Sequence, residues 1–279
     1  MAMRYVTLGS GDRMPVLGQG TWHMGERRRD AEAEAAALRH GLDLGLGLID
    51  TAEMYGDGGA EAVVGEAIRG RRDEVFLVSK VLPHNAGLRG TVEACERSLT
   101  ALRTDHLDLY LLHWRGGVPL AETLEAFERL RAEGKIRHFG VSNFDAADLA
   151  ELWEHPAGRQ AGTDQVLYNL TRRGPEFDLL PWCRDRRMPV MAYSPIEQGR
   201  LLHDDVLRTV ADRHGASPAQ VAIAWVLHQP LVCAIPKAAT REHVEQNAAA
   251  LELALTEQDL ADLDRRFPAP STATPLEML

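Results

Sequence analysis

The feature that most constrains this chain is an unbroken alternation of short apolar runs with longer amphipathic segments. The apolar runs are "LGLID", "VFLVSK", "LDLYLLH", "IRHFGVSN", "TDQVLYN", "PVMAYSP" and "VCAIPK", with "PVLGQGTW" ahead of them. Each is short and bounded by turns or helix starts, as strands buried on both faces are. Between them lie "RRDAEAEAAALRHGLDLG", "AEAVVGEAIRG", "TVEACERSLTALR", "PLAETLEAFERLRAEG", "AADLAELWEH", "EFDLLPWCRDRR", "SPAQVAIAWVLHQ" and "REHVEQNAAALE", whose apolar residues recur at three- and four-residue steps. About eight β–α pairs in 279 residues, with no linker rich in Pro, Gly or Ser, predict one domain over residues 1–279. The fold class expected is α/β, a closed (β/α)8 TIM barrel. The segment "RYVTLGSGDRMPVLG" ahead of the series reads as an N-terminal β-hairpin turning near Gly11-Asp12.

A doubly wound open sheet is the alternative, and two glycine pairs test it. In "GQGTWHMG" His23 stands where the third glycine of a dinucleotide fingerprint belongs, and "GLGLID" places Gly45 and Gly47 before a strand instead of after one. Neither opens a helix after a strand, so neither supports a Rossmann domain.

A net charge of −10 argues against a nucleic-acid or anionic-membrane partner, and no apolar run approaches transmembrane length. Cys95, Cys183 and Cys233 are far apart without metal-ligand spacing, so reduced core cysteines, a cytoplasmic protein and no bound metal are expected.

In a closed barrel the functional groups sit at the carboxyl ends of the strands. Those ends carry Asp50, Lys80, His113, Ser142 with Asn143, Gln165, Tyr193 with Ser194, and Lys237. Each has a plainer reading alone: Asp50 as a helix cap, His113 and Tyr55 as packed rings, Ser142-Asn143 as a helix start, Tyr193-Ser194-Pro195 as a turn. The conjunction is what those readings explain poorly. Lys80 stands out further, because only Lys80, Lys135 and Lys237 among 31 basic residues are lysines. A compact ammonium can modulate a neighbouring proton in a way a guanidinium cannot.

Asp50, Tyr55, Lys80 and His113 make a proton-donating set. An ammonium beside a phenol draws its pKa of about 10 toward working pH. A carboxylate at Asp50 keeps that ammonium charged. A histidine orients a substrate oxygen. The set protonates a carbonyl oxygen but holds no hydride, so a redox cofactor is implied. A barrel lyase using Lys80 as a Schiff base is the competing chemistry.

The motifs "GLIDTAEMYGDG", "VFLVSK", "LDLYLLHW", "GKIRHFGVSNF", "DQVLYN", "MAYSP" and "IPKAATREHVEQN" together make the chain resemble the aldo-keto reductases over nearly its whole length, with the bacterial methylglyoxal-reductase-like members nearest. The resemblance implies a small carbonyl substrate, a monomer, and an extended NAD(P)H across the barrel mouth. Tyr55 would be the general acid, Lys80 and Asp50 its modulators and His113 the orienting partner. Ser142, Asn143 and Gln165 match positions that bind the nicotinamide carboxamide. Tyr193 matches the residue stacking on its ring, and Ser194, Pro195 and Ile196 the loop near the pyrophosphate. Lys237 matches the ligand of the adenosine 2′-phosphate. Asn247 is kept, but Ala238 replaces a hydroxyl residue, His243 an arginine and Gln246 a glutamate. NADP(H) is therefore expected to be preferred, with NAD(H) use possible and Arg241 or His243 compensating. A catalytically idle nicotinamide-binding protein is the rival within the resemblance.

Trp22, Met54 and Trp114 are expected to line an apolar substrate pocket. The short loop "WRGGVPL" and the brief tail "PAPSTATPLEML" predict a shallow, open pocket with broad substrate tolerance, and the short loop "IEQGRLLHDD", ending in a helix start, predicts fast cofactor release. The sequence leaves the role of Glu53 open.

Overall fold

The computed structural model of the protein describes residues 3–279. Strands β1 (Tyr5–Thr7) and β2 (Arg13–Pro15) pair antiparallel, with Val6 opposite Met14 and Gly11 in the left-handed region at the turn. Their buried residues Val6 and Met14, with Leu8 after them, belong to the main core. His138 pairs with Asp12 at 2.9 Å and ties the hairpin turn to the barrel.

Eight parallel strands follow: β3 (Gly18–Gly20), β4 (Leu48–Asp50), β5 (Phe76–Val81), β6 (Leu107–Leu112), β7 (Ile136–Ser142), β8 (Asp164–Leu167), β9 (Val190–Tyr193) and β10 (Val232–Ala234). They are hydrogen-bonded in sequence order, each to the next. Parallel bridges Leu17–Ala234 and Gly20–Lys237 bring β10 back to β3 and close the cylinder. Gly20 makes that seam possible, since a Cβ there would meet the Ile235 carbonyl oxygen at 2.6 Å. An open doubly wound sheet is thereby excluded.

The helices are α1 (Ala31–Asp43), α2 (Gly59–Ala67), α3 (Leu88–Leu102), α4 (Leu120–Ala132), α5 (Ala146–Glu154), α6 (Leu179–Asp185), α7 (Asp205–His214), α8 (Pro218–His228), α9 (Arg241–Ala249) and α10 (Glu257–Arg266). Local chemistry fixes several starts. Asp145 accepts from the Ala147 and Asp148 amides in a capping box, so the helix start read at Ser142-Asn143 falls at Asp145 and frees those two side chains. Ser217 with Gln220 caps α8, whose first residue is Pro218, and Thr256 with Asp259 caps α10. Tyr110 on β6 meets Phe127 on α4 edge to face at 5.8 Å, and Phe127 stacks on Phe139 of β7 at 5.3 Å. Burial of a ring the size of Phe127 stabilises by about 1.5–3 kcal/mol. Helix α10, absent from the sequence reading, and α7, read there only as a helix start after "IEQGRLLHDD", pack beside one another through Arg213, which binds Asp259 at 2.9 Å and Asp262 at 2.6 Å. Cys95, Cys183 and Cys233 are free and buried. Among the described residues no helix is long and apolar enough to cross a membrane.

Candidate active site

The strand ends deliver their polar groups to one mouth. Asp50 is the last residue of β4 and Lys80 the fifth of β5, its neighbour. The Lys80 ammonium is fully buried and donates to Asp50 Oδ2 at 2.8 Å, to the Thr51 carbonyl at 2.8 Å and to the Tyr55 hydroxyl at 3.3 Å. Asp50 Oδ1 accepts from Gln165 Nε2 at 2.7 Å, so both carboxylate oxygens are engaged across the barrel. Tyr55 reaches Lys80 from a turn in which Gly56, Asp57 and Gly58 all adopt left-handed backbone, a run that the glycines relieve. The Tyr55 and His113 rings meet edge to face at 5.7 Å.

The electrostatics differ from the sequence expectation at one point. Burial is the larger influence on Tyr55 and raises its pKa above 10, although Lys80 pulls the other way as expected. The phenol is therefore a protonated acid throughout the neutral range. Burial alone pushes Lys80 down, but the charge and hydrogen bonds of Asp50 and Tyr55 outweigh it and hold the pKa raised. A Schiff-base lysine needs the opposite, a depressed pKa and a free lone pair. Lys80, with three acceptors around it, is not built for that. His113 is pushed down to about 2 by burial and then by Lys80, and its Nδ1 has no protein partner. It is neutral at working pH and presents an uncharged imidazole to the mouth.

Around this set, Asn143 sits in left-handed backbone at φ 57° and bridges three neighbours. Its Nδ2 donates to the His113 carbonyl at 3.0 Å and to Ser142 Oγ at 3.1 Å, and its Oδ1 accepts from the Tyr193 hydroxyl at 3.0 Å. Ser142 donates to the Gln165 carbonyl at 2.8 Å. The cavity above has a volume of about 560 Å³. Asp50, Tyr55, His113, Ser142, Asn143, Gln165, Tyr193, Ser194, Pro195, Ile196, Lys237 and His243 line it, as do Trp22, Met54 and Trp114; Lys80 lies buried beneath. Ala238, next to Lys237, and Asn247, on α9, are buried and lie outside the lining. The donor set suits a nicotinamide dinucleotide: amide and hydroxyl groups beside the Tyr193 ring at one part, and a lysine with His243 in the first turn of α9 at another.

Sequence reasoning missed His23, Gln198, Leu202, Met278 and Leu279, which also line the cavity. His23 stacks on Trp22 at 4.3 Å. Gln198 and Leu202 belong to the loop after Pro195, and Met278 with Leu279 to the tail, so both segments form part of the cavity wall. Glu53, left open by the sequence, accepts from the Leu82 amide at 2.7 Å and Asn85 Nδ2 at 3.0 Å, fixing the loop after β5.

Fold and site together define a barrel protein whose ligand cavity is the carboxyl-end mouth. The pattern of the aldo/keto reductase family matches residues 16–266. Methylglyoxal reductase YeaE of Escherichia coli is 57% identical, over 97% of both chains. Glyoxal reductase of Bacillus subtilis is 34% identical, over 93% of this chain and 91% of its own. A crystal structure of an aldo/keto reductase from Klebsiella pneumoniae in complex with NADP and acetate superposes with a TM-score of 0.96 at 53% identity, covering 100% of both chains. The chain belongs to the aldo/keto reductase family, and with it to the oxidoreductases that act on carbonyls.

Proposed function

We propose that this protein reduces small aldehydes and ketones to alcohols, with NADP(H) preferred over NAD(H) and Tyr55 as general acid. The observation that carries the reading is the buried chain Asp50–Lys80–Tyr55, which ends in a protonated phenol at the floor of an apolar mouth. The cofactor, when bound, supplies the hydride. Ser142, Asn143 and Gln165 would hold its carboxamide, the Tyr193 ring its nicotinamide face, Ser194 to Ile196 its pyrophosphate, and Lys237 with His243 its adenosine phosphate. Ala238 and Asn247 would contribute to that end from outside the cavity lining.

The chain's own residues account for the proton. The carbonyl oxygen sits between the Tyr55 hydroxyl and the neutral His113 imidazole, which polarise it. As negative charge develops there, the Tyr55 proton moves to it and leaves a phenolate. Lys80, 3.3 Å away, stabilises that phenolate, and Asp50 holds the fully buried Lys80 charged. Trp22, Met54 and Trp114 exclude water and favour apolar substituents. The names of the similar methylglyoxal and glyoxal reductases favour small dicarbonyls within a broad carbonyl range.

The test is NADPH oxidation with a panel of small aldehydes on the wild type and Tyr55→Phe. Turnover by the wild type and its loss in the variant is expected. Equal rates would overturn the mechanism.

A further inference from the structure

One guanidinium joins two segments of the mouth that are far apart in sequence. Arg172, in the loop after β8, donates through Nε and Nη2 to Glu197 Oε1 at 3.2 and 3.0 Å. Its Nη1 donates to Glu277. Glu197 is buried and belongs to the loop after Pro195, where Asn169 and Arg200 also hold it, at 2.8 and 3.0 Å. Glu277 immediately precedes Met278 and Leu279, the tail residues on the cavity wall. Loop residues Gln198 and Leu202 and tail residues Met278 and Leu279 line the same cavity, and Arg172 itself lines none of it.

We propose that Arg172 is a positioning residue that sets carbonyl specificity: by clamping Glu277 against Glu197 it seats the Met278–Leu279 wall of the substrate pocket. The proposal rests on the function proposed above. Met278 and Leu279 are large apolar side chains that are about half exposed, at 51% and 45%, so their own packing does not anchor them at the mouth. Two contacts hold the end of the tail: the Leu279 backbone on the Tyr193 hydroxyl, and the two guanidinium bonds to the single oxygen Glu197 Oε1 continued to Glu277. Leu276, packed on the core one residue earlier, fixes the tail's path but not the direction of its last residues.

A substrate with a long apolar substituent needs that wall; a two-carbon aldehyde does not. Arg172→Gln should lower kcat/KM for hexanal relative to acetaldehyde by about fivefold, the scale set by lost contact with an apolar pocket wall. The change should appear in KM, with the single-turnover rate at saturating acetaldehyde kept. Glu277→Gln should give a similar loss of selectivity, the double variant no more than Arg172→Gln alone, and Arg172→Lys an intermediate value. Hydrogen exchange on the cofactor-free protein gives a second readout. Arg172→Gln should speed exchange in both 194–203 and 274–279, and Glu277→Gln in 274–279 alone. Unchanged hexanal selectivity in either variant, or additive effects in the double, would overturn the proposal. A wild type that reduces neither aldehyde would overturn the proposed function instead, and the exchange pattern would then judge the clamp by itself.

Discussion

Lys80 donates to Asp50 at 2.8 Å, with the lysine fully buried and the carboxylate almost so at the cavity floor. A buried pair of this kind is dangerous to break and informative when broken. Removing one partner leaves the other uncompensated, at about 3–5 kcal/mol. Asp50→Asn should therefore lower urea-unfolding stability on that scale and drop carbonyl reduction sharply. The double variant Asp50→Asn with Lys80→Met should recover part of the stability and none of the activity. A double variant less stable than Asp50→Asn would contradict this picture of the pair.

The raised pKa of Tyr55 fixes the shape of the pH dependence. Its acid form persists up to pH 10, so kcat for carbonyl reduction should be flat from pH 6 to 9 if chemistry limits it. Alcohol oxidation needs the phenolate and should rise throughout that window. His113, pushed down to about 2, adds no limb near pH 6.5. Tyr55→Phe should lose reduction by about 10²–10⁴-fold, the usual contribution of a general acid, while cofactor affinity stays put. A reduction limb centred near pH 6.5 would show that the histidine carries a catalytic proton after all.

Asp164 predicts a pH effect on stability away from the mouth. The side chain is fully buried, its Oδ2 has no protein partner, and burial first of all raises its pKa well above the ordinary carboxyl value. The folded state therefore keeps a proton that the unfolded chain releases near pH 4. The stabilisation is complete below that pH and is lost as pH rises toward the folded pKa. Asp164→Asn cannot ionise and still offers an oxygen to the Phe144 amide. Its stability relative to wild type should increase between pH 4 and pH 8, as measured by denaturant unfolding at each pH. A constant difference across that range would mean that Asp164 does not titrate there.

His243 governs the cofactor prediction. It stands in the first turn of α9 and lines the cavity with Lys237. Wild type should show the higher kcat/KM with NADPH, and His243→Arg should widen the NADPH-to-NADH ratio by about tenfold through a charge-assisted fork on the 2′-phosphate. Equal or better efficiency of the wild type with NADH would refute the preference.

The strands and eight of the helices were legible because burial imposes a period that survives in the sequence. The polar ends of those strands, from Asp50 to Lys237, were legible for the same reason, since each interrupts an apolar run. Helix α10 was not: in "EQDLADLDRR" only Leu260 and Leu263 are large apolar side chains, and the Thr256 cap and the Arg213 ion pairs do much of the work. Loop contributions were equally hidden. Gln198, Met278 and Leu279 reach the mouth through contacts such as Arg172–Glu277, separated by 105 positions. Glu53 could not be placed because its partners, Leu82 and Asn85, lie beyond the next strand. The Tyr55 pKa was misjudged in direction because charge proximity can be read from spacing, whereas the depth of burial cannot.

The seam between β3 and β10 has a consequence for synthesis. Gly18–Gly20 leaves the ribosome well before its second neighbour, Val232–Ala234. Until that neighbour emerges, one side of β3 is an unpaired strand edge, the kind of surface that invites wrong partners. The hydrogen bond from the Gly20 amide to the Pro236 carbonyl, which ends that exposure, also sets Lys237 at the mouth. A nascent chain thus lacks the mouth's Lys237 until the step that covers this edge.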